Sequence, residues 1–321
     1  MLTYLKYLLK RLGSSILTFL IVSVFIFILM ELAPGDPAQM ILGVNYTQQQ
    51  YTDKVAELGL DQPGVVRYLE WLGSYVKGDM GTSYYNNENV TQSVISHLLP
   101  TLYLATASMI VIMLIAIPLG IFSAKHKNSP IDGTIVSLSL LGISIPTFLL
   151  SIILIFFFGV TLNILPTSGY FPLEDGVGKS LMYMVLPVLS LSILNIAYIT
   201  RMTRSAMLDV LGTDYIKTAK AKGLKGTLIF YKHALKNSFN TILTVLGQTY
   251  GGLIAGAAVV EMIFNIPGIG QLLISVVGKR DYPTILGIVM TICVIFIIIN
   301  LVVDLLYGVF DPRVKITGKA K

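Results

Sequence analysis

Six long apolar runs decide the class of this chain before any motif is read. They lie near 12–32, 100–122, 134–159, 182–200, 240–263 and 284–307. A hydrocarbon layer about 30 Å thick takes roughly 20 helical residues to cross. Backbone N–H and C=O groups cannot stay unpaired in lipid, so each run predicts a helix. The short alternating segments of an outer-membrane barrel are absent from the sequence. The expectation is an all-α integral membrane protein with six transmembrane helices. Lys6, Lys10 and Arg11 give the first run the basic front of a signal peptide. The run is longer than a signal peptide's apolar stretch, and "ELAPGDPA" follows it in place of an A-x-A site. It reads as a retained first span.

The cations set the orientation. With both termini in the cytoplasm, 17 of the 23 Lys and Arg fall in inside loops, eight of them in residues 201–239. The outside loops hold Lys54, Arg67, Lys77, Lys179, Lys279 and Arg280. That excess is the positive-inside pattern, so the net charge of +6 is a topology signal. Nucleic-acid binding is not indicated, because the cations are spread over loops without interleaved aromatic platforms. The chain then divides into an N-terminus and first span at 1–32, an outside segment at 33–99, a five-helix core at 100–310 and a tail at 311–321. The outside segment carries more acids than bases and predicts two short amphipathic helices broken at "LDQPG". Its length suits a small cap.

Chemistry of catalytic type is missing. Glu31, Glu261 and Asp304 lie near span ends, and no charged residue sits at mid-span. Ion-coupled transporters need ionisable groups at depth, so that energy source is disfavoured. An ion channel would call for charged rings or carbonyl filters, which the sequence does not suggest. "GVGKS" at 176–180 ends like a phosphate-binding loop, but Leu173 stands where the first glycine belongs. His97, His126 and His233 are far apart in sequence, so no metal site is predicted, and the single Cys293 suits packing. The neutral polar residues Ser144, Thr147, Asn195 and Gln248 are candidates for lining a path, with Pro146 as a bend and Glu261 near the end of the fifth run. Pro118 and Pro187 also fall inside runs and predict kinks. Gly247/Gly251 and Gly252/Gly256 predict close helix approach in the fifth run.

The loop 201–239 gathers Arg201, Arg204 and six lysines against Asp209 and Asp214. Within it, "DYIKTAKAKG" has helical spacing, with Tyr215, Thr218, Ala219 and Lys222 along one side and Gly223 where a helix would stop. "LIFYKHAL" begins a second amphipathic turn. A short helix with small residues, a glycine stop and a second helix make a knob suited to docking in a groove on a soluble partner.

This loop resembles that of ABC-importer permeases, whose pattern is E-A-A-x-x-x-G followed by nine residues and I-x-L-P. Aligned on Gly223, the leading places hold Lys217, Thr218 and Ala219, so the last alanine and the glycine match. "HALK" stands where I-x-L-P would. Those departures resemble the peptide/nickel subgroup, with Tyr215 to Leu224 and His233 to Asn237 as its form here. "GLDQP" (59–63), "GDMGTS" (78–83), "SIPTFLL" (144–150), "EMIFNIPGIGQLL" (261–273), "RDYP" (280–283) and "DPRV" (311–314) agree in order, as does "ELAPGDPA" (31–38).

The resemblance implies a type I ABC-importer permease fold and the role of a B-type subunit. It implies a second homologous permease, two ATPase subunits carrying ATP and Mg, and an extracytoplasmic solute-binding protein. This chain would hold no cofactor and would itself be no enzyme. The cargo would be a di- or oligopeptide, with nickel or a metallophore as the alternative, and the site a bacterial or archaeal cytoplasmic membrane. The ATPase-coupling helix would comprise Asp214, Tyr215, Lys217, Thr218, Ala219, Lys220, Lys222 and Gly223. Ala219 and Gly223 would let it pack closely, while exposed lysine–acid pairs worth about 0.2–1 kcal/mol each would set register.

Overall fold

The computed structural model describes residues 2–310, with side chains from 11 to 307. The tail and its "DPRV" motif lie outside the described residues. The elements are α1 (Leu2–Leu32), α2 (Pro37–Leu42), α3 (Gln48–Glu57), α4 (Gly64–Val76), α5 (Val90–Lys125), α6 (Pro130–Ser144), α7 (Thr147–Leu154), α8 (Val177–Leu211), α9 (Asp214–Ala221), α10 (Gly226–Leu228), α11 (Leu235–Phe264), α12 (Ile269–Gly278) and α13 (Tyr282–Phe310). π-helical turns extend α7 over Ile155–Thr161 and join α10 to α11 over Ile229–Ala234.

Five helices have the length and hydropathy to cross a membrane: Arg11–Leu32, Val90–Lys125, Val177–Leu211, Gly226–Phe264 and Tyr282–Tyr307. They coincide with five of the six apolar runs. The third run is a bent pair, which counted as one span makes the sixth. It breaks into α6 and α7, which meet at 96°. Pro146 is the cause: its ring disfavours helical geometry in the residue before it, and Ile145 is extended at φ −87°, ψ 118°. The bend read from Pro146 is therefore a corner. Pro118 and Pro187 each lie within a continuous helix.

The chain forms two compact units. Among the described residues, the first holds 101–266 with 2–7 and 298–310. Here α8 packs against α6, α7 and α11. Small residues permit the approach. A Cβ on Gly120 of α5 would sit 2.7 Å from the Thr200 carbonyl oxygen, and one on Gly142 of α6 would sit 3.1 Å from Ala197 Cβ. Lipid offers no hydrophobic force between helices, so contact of this closeness supplies the attraction.

The second unit holds residues 8–100 and 267–297. The two amphipathic helices read in the outside segment are α3 and α4, separated by the "LDQPG" stretch. A capping box at Thr47 and Gln50 opens α3. One face of α4 lies along α1: Tyr68 Oη bonds Ser23 Oγ at 2.8 Å, Arg67 pairs with Glu31 at 2.7 Å, and Trp71 lies near Phe27. Asp36 caps α2 and accepts from Tyr51 Oη at 2.6 Å, a bond that pushes the Tyr51 phenol above its ordinary value. Buried Asp281 accepts from Ser83 Oγ (2.6 Å), the Tyr84 amide (2.9 Å) and Thr284 Oγ1 (2.6 Å). It thereby joins the "GDMGTS" and "RDYP" stretches, which are nearly 200 residues apart.

Candidate functional site

The loop helix α9 is built to be held on one side and bare on the other. Ile216 and Ala219, three residues apart, are buried with Ile229, and Val210, Leu211 and Leu224 pack around them. Asp214 in the first turn and Lys220 in the last match the helix dipole. The C-terminus closes as a Schellman motif. The Gly223 amide donates to the Lys220 carbonyl (2.9 Å) and the Leu224 amide to the Ala219 carbonyl (3.4 Å). Gly223 stands at φ +72°, and a Cβ there would meet nothing within 4 Å. It is needed for its backbone conformation. The close packing expected of it is not made within this chain.

At 100° per residue, the side opposite Ile216 and Ala219 carries Asp214, Thr218 and Ala221, flanked by Lys217 and Lys222. All five are exposed. Ala219 therefore leaves the stripe in which the sequence pattern grouped it with Tyr215, Thr218 and Lys222. Its small size serves the anchor. The small outward residue is Ala221, which the motif alignment passed over. The alternation of Ile216, Ala219 and Leu224 was the signal that could have found it. Lys217 pairs with Asp214 at 2.8 Å on the outward side. Tyr215 Oη and His233 Nδ1 are 2.5 Å apart, tying α9 to the π-helical turn after α10.

A charged clamp holds the helix that feeds α9. Arg204 of α8 grips Asp132 with both arms of its guanidinium, Nε to Oδ1 and Nη2 to Oδ2, each at 2.7 Å. Ser123 Oγ (2.5 Å) and the Asn128 amide (3.0 Å) donate to the same carboxylate. Asp132 is buried, and four donors on its two oxygens compensate the loss of water. The clamp fixes the turn between α5 and α6 to α8, seven residues before α8 ends.

A separate cavity of about 390 Å³ gathers three of the proposed path residues. Thr147, Asn195 and Gln248 line it together with Tyr198, Gly252 and Gly256. The Asn195 amide donates to the Leu191 carbonyl at 2.8 Å. The other three lie elsewhere. Ser144 is exposed and bonds the Leu140 carbonyl (2.8 Å), and Pro146 forms the corner that begins α7. Glu261 is fully buried and accepts from Thr101 Oγ1 at 2.5 Å. The glycine pairs also divide. A Cβ on Gly247 would sit 2.4 Å from Val303 Cγ2, so this glycine serves close approach to α13. Gly252 and Gly256 have open space before them and leave room in the cavity. Its polar lining of hydroxyl, amide and phenol groups can hydrogen-bond a polar molecule without holding it by charge.

Comparison with known proteins places these features in context. The family model described as binding-protein-dependent transport system inner membrane component matches residues 116–316, and that of the family's N-terminal part matches residues 4–105. The chain is 38% identical over 309 residues to the protein named "Probable peptide ABC transporter permease protein" of Sinorhizobium fredii, covering 96% of this chain and 99% of that one. It is 37% identical over 312 residues to the oligopeptide transport system permease protein AppB of Bacillus subtilis, covering 96% and 99%. Among solved structures, the MetNI methionine ABC transporter matches with a TM-score of 0.55 at 17% identity, over 68% of this chain and 95% of that one. That likeness is one of fold.

Proposed function

The chain belongs to the family of binding-protein-dependent transport system inner membrane components, and from that premise we propose that it carries di- or oligopeptides through the cytoplasmic membrane as one half of an ATP-driven importer. Its fold is that of a type I importer permease. In this reading a second, homologous permease completes the path. Two ATPase subunits binding ATP and Mg supply the work, and a solute-binding protein delivers cargo from outside. Both termini face the cytoplasm, as the distribution of cations favours.

The observation that carries this reading is the two-faced helix α9. Its inner side is rooted in the body by Ile216 and Ala219, and its outer side offers Asp214, Thr218 and Ala221 to a partner. A helix held in this way transmits a push without losing its own shape. ATP-driven closure of the ATPase pair moves α9, and α9 moves α8 through the joint at Leu211. The Asp132–Arg204 clamp carries the motion on to the start of α6. The Thr147, Asn195 and Gln248 cavity is the stretch of path contributed by this chain. Neutral donors and acceptors there suit a peptide backbone, whose amides need partners and whose side chains vary.

Peptide cargo is favoured by the names borne by the relatives described above, and the nickel or metallophore reading draws no support from them. The outside segment is the surface for the solute-binding protein. Val65, Leu69 and Val76 of α4 stand exposed on the side away from α1 and offer it apolar contact. The test is uptake by the complete complex in proteoliposomes, with labelled peptide and labelled nickel in parallel. Peptide accumulation that requires ATP and the binding protein is expected. Nickel accumulation without peptide would overturn the cargo assignment.

A further inference from the structure

The mechanism uses the outward side of α9 and leaves a cavity on its inner flank unexplained. This cavity, of about 520 Å³, lies among the ends of α5 and α8, helix α9 and the π-helical turn after α10. Lys125, Lys127 and Lys220 line it, and no acid does. Among the described residues none of the three makes a salt bridge. The remaining wall is largely apolar, with Leu208, Leu224 and Phe230 among its residues.

We propose that this cavity is a binding site for an anionic phospholipid, its phosphate held by the three lysines and its glycerol and upper acyl carbons against the leucines and Phe230. The proposal rests on the importer reading only for its orientation, with the loop on the cytoplasmic side. Three observations favour lipid over a protein partner. Lys125 ends one candidate membrane-crossing helix, Leu211 ends a second and Gly226 begins a third, so the cavity gathers at the ends of spans, with Lys127 two residues beyond Lys125. Lys220 lies on the flank of α9 toward its buried side, well away from Asp214, Thr218 and Ala221. The wall joins cation to hydrocarbon, which an amphipathic anion satisfies at both ends. Basic pockets among helix ends on the cytoplasmic side are where anionic headgroups collect. A lipid there would brace α9 against α8 and make coupling sensitive to membrane composition.

The test uses the purified complete complex in nanodiscs of phosphatidylcholine with a photoreactive phosphatidylglycerol as probe, and reads label on this chain by mass spectrometry. Label within residues 208–230 is expected, falling about fivefold for each of Lys125→Gln, Lys127→Gln and Lys220→Gln. The triple arginine variant should restore it, which separates lost charge from lost folding. Photoreactive phosphatidylcholine should label the site weakly. Equal labelling of wild type and the triple glutamine variant would overturn the proposal. So would protection of the site by inorganic phosphate alone, which would mark it as a site for a free anion. Loss of the ATPase subunits from the glutamine variant with labelling unchanged would assign the lysines to a protein partner instead. Because label is read on the permease itself, a failure of transport leaves this result interpretable.

Discussion

Gly223 sits in the left-handed region at φ +72°, where any side chain costs about 1–2 kcal/mol. The space around it is open, so Gly223→Val should leave the body folded while loosening the end of α9. Substrate-stimulated ATP hydrolysis in the full complex should fall several-fold, and unchanged stimulation would speak against the joint. The two alanines of α9 should part company. Ala219→Phe overfills the anchor and should lower the melting temperature, at a cost of about 1–3 kcal/mol. Ala221→Phe should leave the melting temperature near that of the wild type and abolish coupling. If both behave alike, the assignment of faces is wrong. Asp132→Ala strands the Arg204 guanidinium, itself partly exposed, and should cost about 2 kcal/mol, readable as a lower melting temperature.

Helix α11 carries both glycine functions on one element. Gly247→Leu collides with Val303 and should destabilise the protein, whereas Gly252→Leu enters open space. The second variant should fold, keep its basal ATP hydrolysis and transport peptide poorly. Normal uptake would remove the cavity from the path. The elements that could be read from sequence are those with a strong local signal. Length and hydropathy marked six spans, one of them the bent pair of α6 and α7, turn chemistry separated α3 from α4, and Gly223 marked the end of α9. What stayed hidden depended on tertiary contacts. The six-residue helix α2 is too brief for periodicity to announce. Nothing in "IFFFGVT" or "IFYKHA" distinguishes a π-helical turn from an α-helix. Pro146 announced a bend, but its size is set by the packing of α6 and α7 on α8. In the site, Thr147, Asn195 and Gln248 were legible as neutral polar residues inside apolar runs. Ser144 was legible by the same rule and lies elsewhere, because depth along a helix does not tell which side a residue faces. The outward face of α9 needed its neighbours, since only Ile229 and Leu211 reveal which side is held.

At the scale of the whole molecule, the proposed function makes the chain a scaffold for transmitted motion. The apolar runs place it in the membrane, and the uneven spread of Lys and Arg favours the proposed orientation. One helix of eight residues is rooted in the body and exposes a structured surface, the one proposed to meet the ATPases. The outside segment should report delivery separately from driving. Leu69→Glu on α4 should raise the concentration of binding protein needed for half-maximal uptake while leaving basal ATP hydrolysis unchanged. A shift in basal hydrolysis without any change in delivery would break that separation.

The most direct measurement is cysteine cross-linking in the intact complex, with Cys293→Ser as background and single cysteines at Thr218, Ala221 or Tyr231, an exposed site on the π-helical turn. Thr218→Cys and Ala221→Cys should cross-link to the ATPase subunits in a nucleotide-dependent manner, and Tyr231→Cys far less. A complex that holds its ATPases firmly yet yields no adduct at either outward position would contradict the drive through α9.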